Sequence, residues 1–237
     1  MLTARVESFS GTIGRMTRRE VYVSVDIEAD GPIPGPYSML SLGAAAFAID
    51  WSGPPRVSAA GTWSANLETL EGAAGHPETM KWWGSQPEAW AACRADLQPV
   101  APAMAAFAAW LGGLPGRPVF VAYPAGFDFT FVYWYLVRFT GGSPFAHAAL
   151  DMKTMAMTLL GTTFRDTTKR TFPARWRGVG RHTHVALDDA IEQGEIFCGM
   201  LLEARARTAR RRPDDTGGAS GAADGSSTVD ASGADEG

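Results

Sequence analysis

Cysteine is nearly absent from this chain: its 237 residues contain Cys93 and Cys198, with no C-x-x-C and no His/Cys cluster. That excludes a disulfide framework and a structural zinc site, and leaves two reduced, half-buried thiols. Long apolar runs are missing too. No stretch approaches the roughly 18 uninterrupted apolar residues of a spanning helix, and the mean hydropathy of -0.07 is too low for a membrane protein. The opening MLTARVESFSGTIGRMTRRE has scattered charges but no apolar h-region or cleavage pattern, so the expectation is a cytoplasmic protein. The formal charge of -4 is itself misleading, because residues 213–237 hold six acids and no base. Without that segment the balance is slightly positive, which is compatible with a nucleic-acid partner without demanding one.

What is present is enough for one folded unit with a buried core. The end of the chain, PDDTGGASGAADGSSTVDASGADEG, has almost nothing to bury and cannot offset its own ordering entropy. Residues 209–237 are therefore expected to be a disordered tail, residues 1–19 a loose extension (with Met16, before the basic TRR run, as an alternative start), and residues 20–208 the folded domain.

Within that domain VYVSVDI and SMLSLGAAAFAI read as strands joined through the Gly/Pro-rich turn GPIPGPY, and a third strand is expected around Gly61–Leu67. His76–Arg94 reads as one or two short helices, with Pro77 suited to a first turn and Pro87 interrupting or restarting. The order then continues as the helix VAPAMAAFAAWLGG, the strand PVFVAY, the aromatic helix AGFDFTFVYWYLVRF, a short HAALDM strand, the helix KTMAMTLLG and a basic loop from Thr162 to Arg181. A last helix follows, from near Val185 to about Arg207. Three strands followed by alternating helices and strands predict an α/β domain with a mixed central sheet.

Three segments carry candidate chemistry. Asp26 and Glu28 lie two residues apart at the end of the first strand, so both side chains fall on one sheet face. Crowded carboxylates repel unless a cation neutralises them, and oxygen-only donors favour magnesium or manganese over zinc; a solvated pair at a strand end is the plain alternative. Asp128 follows a strand inside the first turn of an apolar helix, flanked by Phe127, Phe129 and Phe131, where it either faces a partner or complements the helix dipole. Asp189 starts the final helix five residues after His184, a side chain suited to taking a proton near neutral pH. Asp188 and Asp189 could instead be ordinary first-turn acids. Asp151 reads as a helix N-cap, and Asp30 as part of the turn before Gly31.

DIEADG, AGFD and HVALDDA, in that order, resemble the three exonuclease motifs of the DEDD superfamily in its histidine-containing (DEDDh) branch. The longer opening VDIEADGPIPGPYSMLSLGA, with TMKWW, is most similar to small stand-alone exoribonucleases of that branch. The resemblance spans roughly residues 20 to 205 and implies a ribonuclease H-like mixed β-sheet flanked by helices. It also implies 3′–5′ trimming of a single-stranded RNA or DNA 3′ end, with RNA favoured, and a possible homodimer. Asp26, Glu28, Asp128 and Asp189 would hold two Mg2+ or Mn2+ ions, and His184 would act as general base; His182 competes for that role, but its offset to Asp189 does not fit. One departure stands beside the second motif: many relatives carry His or Asn four positions before its Asp, and here that position is Pro124, preceded by Tyr123.

Candidate substrate contacts are Ala29, Tyr123, Phe127, Trp82 and Arg181. Trp83 and Trp176 are further stacking candidates, with core packing as the alternative for Trp82 and Trp83. The basic loop holding Arg165, Lys169, Arg170, Arg175, Arg177 and Arg181 could grip phosphates or be plain solvated surface. A DEDD-like module that binds nucleic acid without cutting it, and a ribonuclease H-like endonuclease, are the competing readings.

Overall fold

The structure, a computed structural model, describes residues 19–177 and 185–210. Its centre is a five-stranded sheet in the order β3-β2-β1-β4-β5. Strands β1 (Glu20–Ala29), β2 (Met39–Asp50) and β3 (Arg56–Asn66) form the antiparallel half. Strands β4 (Arg117–Ala122) and β5 (Ala149–Asp151) run parallel to β1. This is the mixed α/β sheet that the sequence pattern predicts, of the ribonuclease H-like kind that the motif resemblance implies.

β1 is central because both of its faces are covered by helices. Val21, Val23, Val25 and Ile27 pack into a core built with Met104 and Phe107 of α3 (Val100–Gly112) and Phe131 and Tyr135 of α4 (Ala125–Thr140). Tyr22 points the other way, into a second core with Phe197 and Met200 of α6 (Ala186–Arg210). The period of two thus decides which helix each β1 side chain meets. On the α6 side the approach is close: a side-chain atom at Gly194 would fall on the ring of Phe47.

Pro87 restarts rather than bends its helix, giving α1 (Pro77–Trp83) and α2 (Pro87–Cys93) as separate turns. β3 begins at Arg56, earlier than the Gly61 start expected from sequence. Gly61 is not a strand boundary: it has φ +129° and sits where the β2–β3 register slips between Ala46 and Phe47. A glycine inside a strand marks such a bulge as readily as an end. Between α5 (Met152–Leu160) and α6, the basic loop contains two short 3-10 turns, Lys169–Thr171 and Ala174–Trp176.

Candidate active site

Asp26 and Glu28 lie on the α6 face of β1, opposite Gly43 and Ser41 of β2. Gly43 has a specific reason to lack a side chain. A Cβ there would collide with the backbone of Ala186 and Leu187. The first turn of α6 therefore rests directly on the sheet beside Asp26 and delivers Asp189, which is 1% exposed, to the two strand carboxylates. One turn later Gln193, equally buried, donates from Nε2 to Ser24 Oγ (3.2 Å) and to the Val25 carbonyl (2.9 Å), tying α6 to β1. Ligand oxygens of Asp26, Glu28 and Asp189 all lie within 4.8 Å of one another, the candidate metal cluster among the described residues.

Asp128 enters from the opposite side. The parallel ladder between β1 and β4 ends at Ser24 and Val121, so the β1 backbone beyond it is open toward α4. The Ile27 N–H donates to Asp128 Oδ1 (3.1 Å), and the side chain is buried. The start of α4 is fixed in turn by Asp151, whose Oδ2 accepts from Ala125 N (2.8 Å) while Oδ1 accepts from Thr154 N (2.6 Å). The expected N-cap thus serves two helices at once. Asp30, also as expected, belongs to the turn: it is buried and accepts from Ser38 N (2.5 Å).

These carboxylates are expensive to ionise together. Burial, then the charges of Asp189 and Asp128, push Glu28 up to about 8. Burial pushes Asp128 up to about 7 against the opposing Ile27 N–H bond and Lys169. Asp26 is held well above the ordinary carboxylate range by burial first, then by Asp128, Glu28 and Asp189, with Lys169 opposing. A group of this kind reaches full negative charge near neutral pH only with a cation to neutralise it. A donor set made wholly of carboxylate oxygens suits a hard divalent ion. The residues present therefore fit a hard divalent metal ion.

The substrate-facing candidates separate. Phe127 (40% exposed) and Trp82 (41% exposed) offer ring surface, Trp82 with its ring edge-to-face against Trp83. Ala29 is buried, and its carbonyl accepts from Trp83 Nε1 (3.0 Å). Trp83 and Trp176, each 2% exposed, are core residues and present no face for stacking; Trp176 donates from Nε1 to Glu203. Tyr123 is also packed, its hydroxyl donating to the Thr167 carbonyl (2.8 Å) and its ring edge-to-face with Phe172. Arg181, His182 and His184 lie outside the described residues. Sequence reading missed Gly43 and Gln193. The only signal for Gln193 was a polar residue four positions after Asp189, on the same helical face.

No protein-family model matches the chain. A curated protein from Escherichia coli, the 3′-5′ DNA exonuclease Cap18, is 32% identical to it over 185 residues, covering 76% of this chain and 91% of that protein. Among solved structures, the nuclease domain of 3′hExo, a DEDDh family member bound to rAMP, superposes with a TM-score of 0.53 at 11% identity, covering 79% of this chain and 94% of that one. S. pombe Pop2p in its Mg2+- and Mn2+-bound form gives 0.52 at 16% identity, covering 81% and 86%. E. coli Exonuclease I with a dT13 oligonucleotide gives 0.55 at 14% identity, covering 81% and 43%. Those structural likenesses are of fold; the Cap18 likeness is of sequence along nearly the whole relative. With the three acidic motifs in order on that fold, the chain belongs to the DEDDh family of 3′–5′ exonucleases.

Proposed function

We propose that this protein removes nucleotides one at a time from the 3′ end of single-stranded DNA, with Asp26, Glu28, Asp128 and Asp189 holding the metal ions and His184 as general base. The observation that carries the reading is the convergence of Asp26, Glu28 and Asp189 to within 4.8 Å in a setting that raises carboxylate pKa values. Two Mg2+ or Mn2+ ions, when bound, would neutralise the cluster and stabilise the attacking and leaving oxygens of an in-line displacement at phosphorus.

The chain's own residues supply the rest. β1 and the first turn of α6 form a rigid frame, so the carboxylates keep their spacing without reorganising when substrate arrives. Asp128, bonded to the Ile27 N–H, joins the strand to α4 and adds its charge to the same locus. The role of His184 follows from the H-x4-D spacing of the motif: a neutral imidazole takes the proton of the attacking water. Phe127 and Trp82, partly exposed, are the aromatic surfaces suited to unpaired bases. The catalytic unit is taken as residues 20–208, with the flanking segments dispensable for chemistry.

DNA is preferred as substrate because the relative that is 32% identical over 185 residues is named a DNA exonuclease. The RNA preference is supported only by the opening VDIEADGPIPGPYSMLSLGA and by TMKWW, and is kept as the second reading. Incubating 5′-labelled and 3′-labelled single-stranded DNA and RNA with Mg2+ or Mn2+ separates the possibilities. A descending ladder from the 5′ label and release of mononucleotide from the 3′ label are expected, faster on DNA. Internal cuts would replace the exonuclease by an endonuclease, and bound but intact oligonucleotide would make the protein a binding module.

A further inference from the structure

The basic loop between α5 and α6 contains several cations, but they do different work. Arg175 places Nε and a terminal nitrogen on the Glu203 carboxylate (2.8 and 2.9 Å). Arg177 donates to the carbonyls of Arg170 (3.2 Å) and Phe172 (3.0 Å). Both are occupied in holding the loop against α6 and against itself. Lys169 differs. It opens a 3-10 turn whose start is fixed by a capping box between Thr168 and Thr171, and its Nζ lies 3.2 Å from Glu192 Oε2.

Glu192 stands three residues after Asp189 on α6, on an adjoining part of the same helix face. The Lys169 ammonium is thereby held at the border of the carboxylate cluster, and its field reaches both Asp26 and Asp128. The turn is also anchored from below. Thr167, fully buried, gives its carbonyl to the Tyr123 hydroxyl and donates from Oγ1 to the Thr163 carbonyl (2.7 Å). Tyr123, next to the Pro124 that departs from the family pattern, therefore braces the segment carrying Lys169 rather than stacking on a base.

Structural need does not account for this placement. The side chains of Lys169 and Glu192 are only partly buried, 28% and 16% exposed, and an ion pair with access to solvent adds little to stability. A fixed ammonium beside a site for divalent cations also repels those cations, so it does not help to hold the metal. An arriving phosphodiester reverses that balance: it brings negative charge to the place where the metals and the ammonium meet. A lysine suits this role as a compact point charge with three donors that can exchange a carboxylate for a phosphate oxygen.

We infer that Lys169, held in place by Glu192, is a substrate-binding residue that contacts a non-bridging oxygen of the 3′-terminal phosphodiester linkage. This rests on the nuclease reading above. The test compares wild type with Lys169→Gln, Lys169→Arg and Arg175→Gln, the last being the same charge change in the same loop. Two measurements are made on a 5′-fluorescent single-stranded oligonucleotide. Its affinity is followed by anisotropy with Ca2+ in place of Mg2+, and kcat/KM with Mg2+ is followed over a range of salt concentrations.

Lys169→Gln is expected to weaken binding and kcat/KM by about tenfold or more and to flatten the salt slope by about one phosphate contact, roughly 0.7 for a single strand. Lys169→Arg is expected to restore most of both, and Arg175→Gln to leave both near wild type. The inference is overturned if Lys169→Gln binds within about twofold of wild type, or if its salt slope is unchanged. A loss in Arg175→Gln as large as that in Lys169→Gln overturns it as well. If wild type binds but does not trim, the nuclease reading fails on its own while the anisotropy series still decides the role of Lys169.

Discussion

Gly43 faces Asp26 across the β1–β2 ladder, and the space a Gly43 side chain would fill is occupied by the backbone of Ala186 and Leu187. A residue without chemistry thus sets the distance between the strand carboxylates and Asp189. Gly43→Val should push the first turn of α6 off the sheet. The expected result is a destabilisation of about 1–3 kcal/mol from overpacking and a loss of exonuclease rate larger than that stability change alone explains. Thermal melts and rates measured at saturating Mg2+ would check it. A variant that melts lower but keeps its rate would show that Asp189 does not depend on this contact.

The raised pKa values make a pH prediction with a definite sign. Glu28 titrates near 4.5 when unfolded and at about 8 in the folded chain, and Asp128 is raised to about 7. Between those limits the folded state keeps protons that the unfolded state has released, so stability falls as pH rises. The metal-free protein should therefore be most favoured, as far as these groups go, below about pH 4.5, and should lose that contribution progressively up to about pH 8. Saturating Mg2+ should remove much of this loss, because binding to the folded state alone adds stability. Melting temperatures in EDTA and in Mg2+ across this range would test it, and parallel curves in the two conditions would contradict it.

Gln193 donates to Ser24 and Val25 from a fully enclosed position. Gln193→Leu would leave the Val25 carbonyl and Ser24 hydroxyl without that donor, at a cost of about 1–3 kcal/mol. Hydrogen exchange should report faster opening of the first turns of α6, together with a reduced kcat, while the far end of the sheet is unaffected.

Asp151 caps α5 and also receives the Ala125 N–H at the start of α4. Asp151→Ala removes both bonds and should cost about 1–2 kcal/mol. Because Asp128 lies in the first turn of α4, activity should fall as well. Asp151→Asn should recover much of the stability, since an amide oxygen can still cap one helix.

Most of the fold was legible in the sequence because β1 alternates between two buried faces and the helices carry clear starts and stops. The β3 start was not, since Gly61 reads as a boundary in sequence and acts as a bulge in the sheet. As candidates, the four carboxylates were legible through their order and spacing. Their geometry was not. Asp26 and Glu28 share a face by the period of two, but Asp189 joins them only because α6 crosses β2 at Gly43, and that crossing joins segments far apart in the chain. Trp176 illustrates the same limit: a loop tryptophan reads as a stacking surface until its indole is seen buried against α6 and bonded to Glu203.

Mn2+ binding followed by electron paramagnetic resonance tests most directly whether Asp26, Glu28 and Asp189 form the metal-binding site that drives the chemistry. At a pH of about 7.5 wild type should take up Mn2+, while Asp189→Asn should bind it at least about 10- to 100-fold more weakly and remain folded. A wild-type protein that takes up no Mn2+, or an Asp189→Asn variant that binds it as well as wild type, would contradict the account.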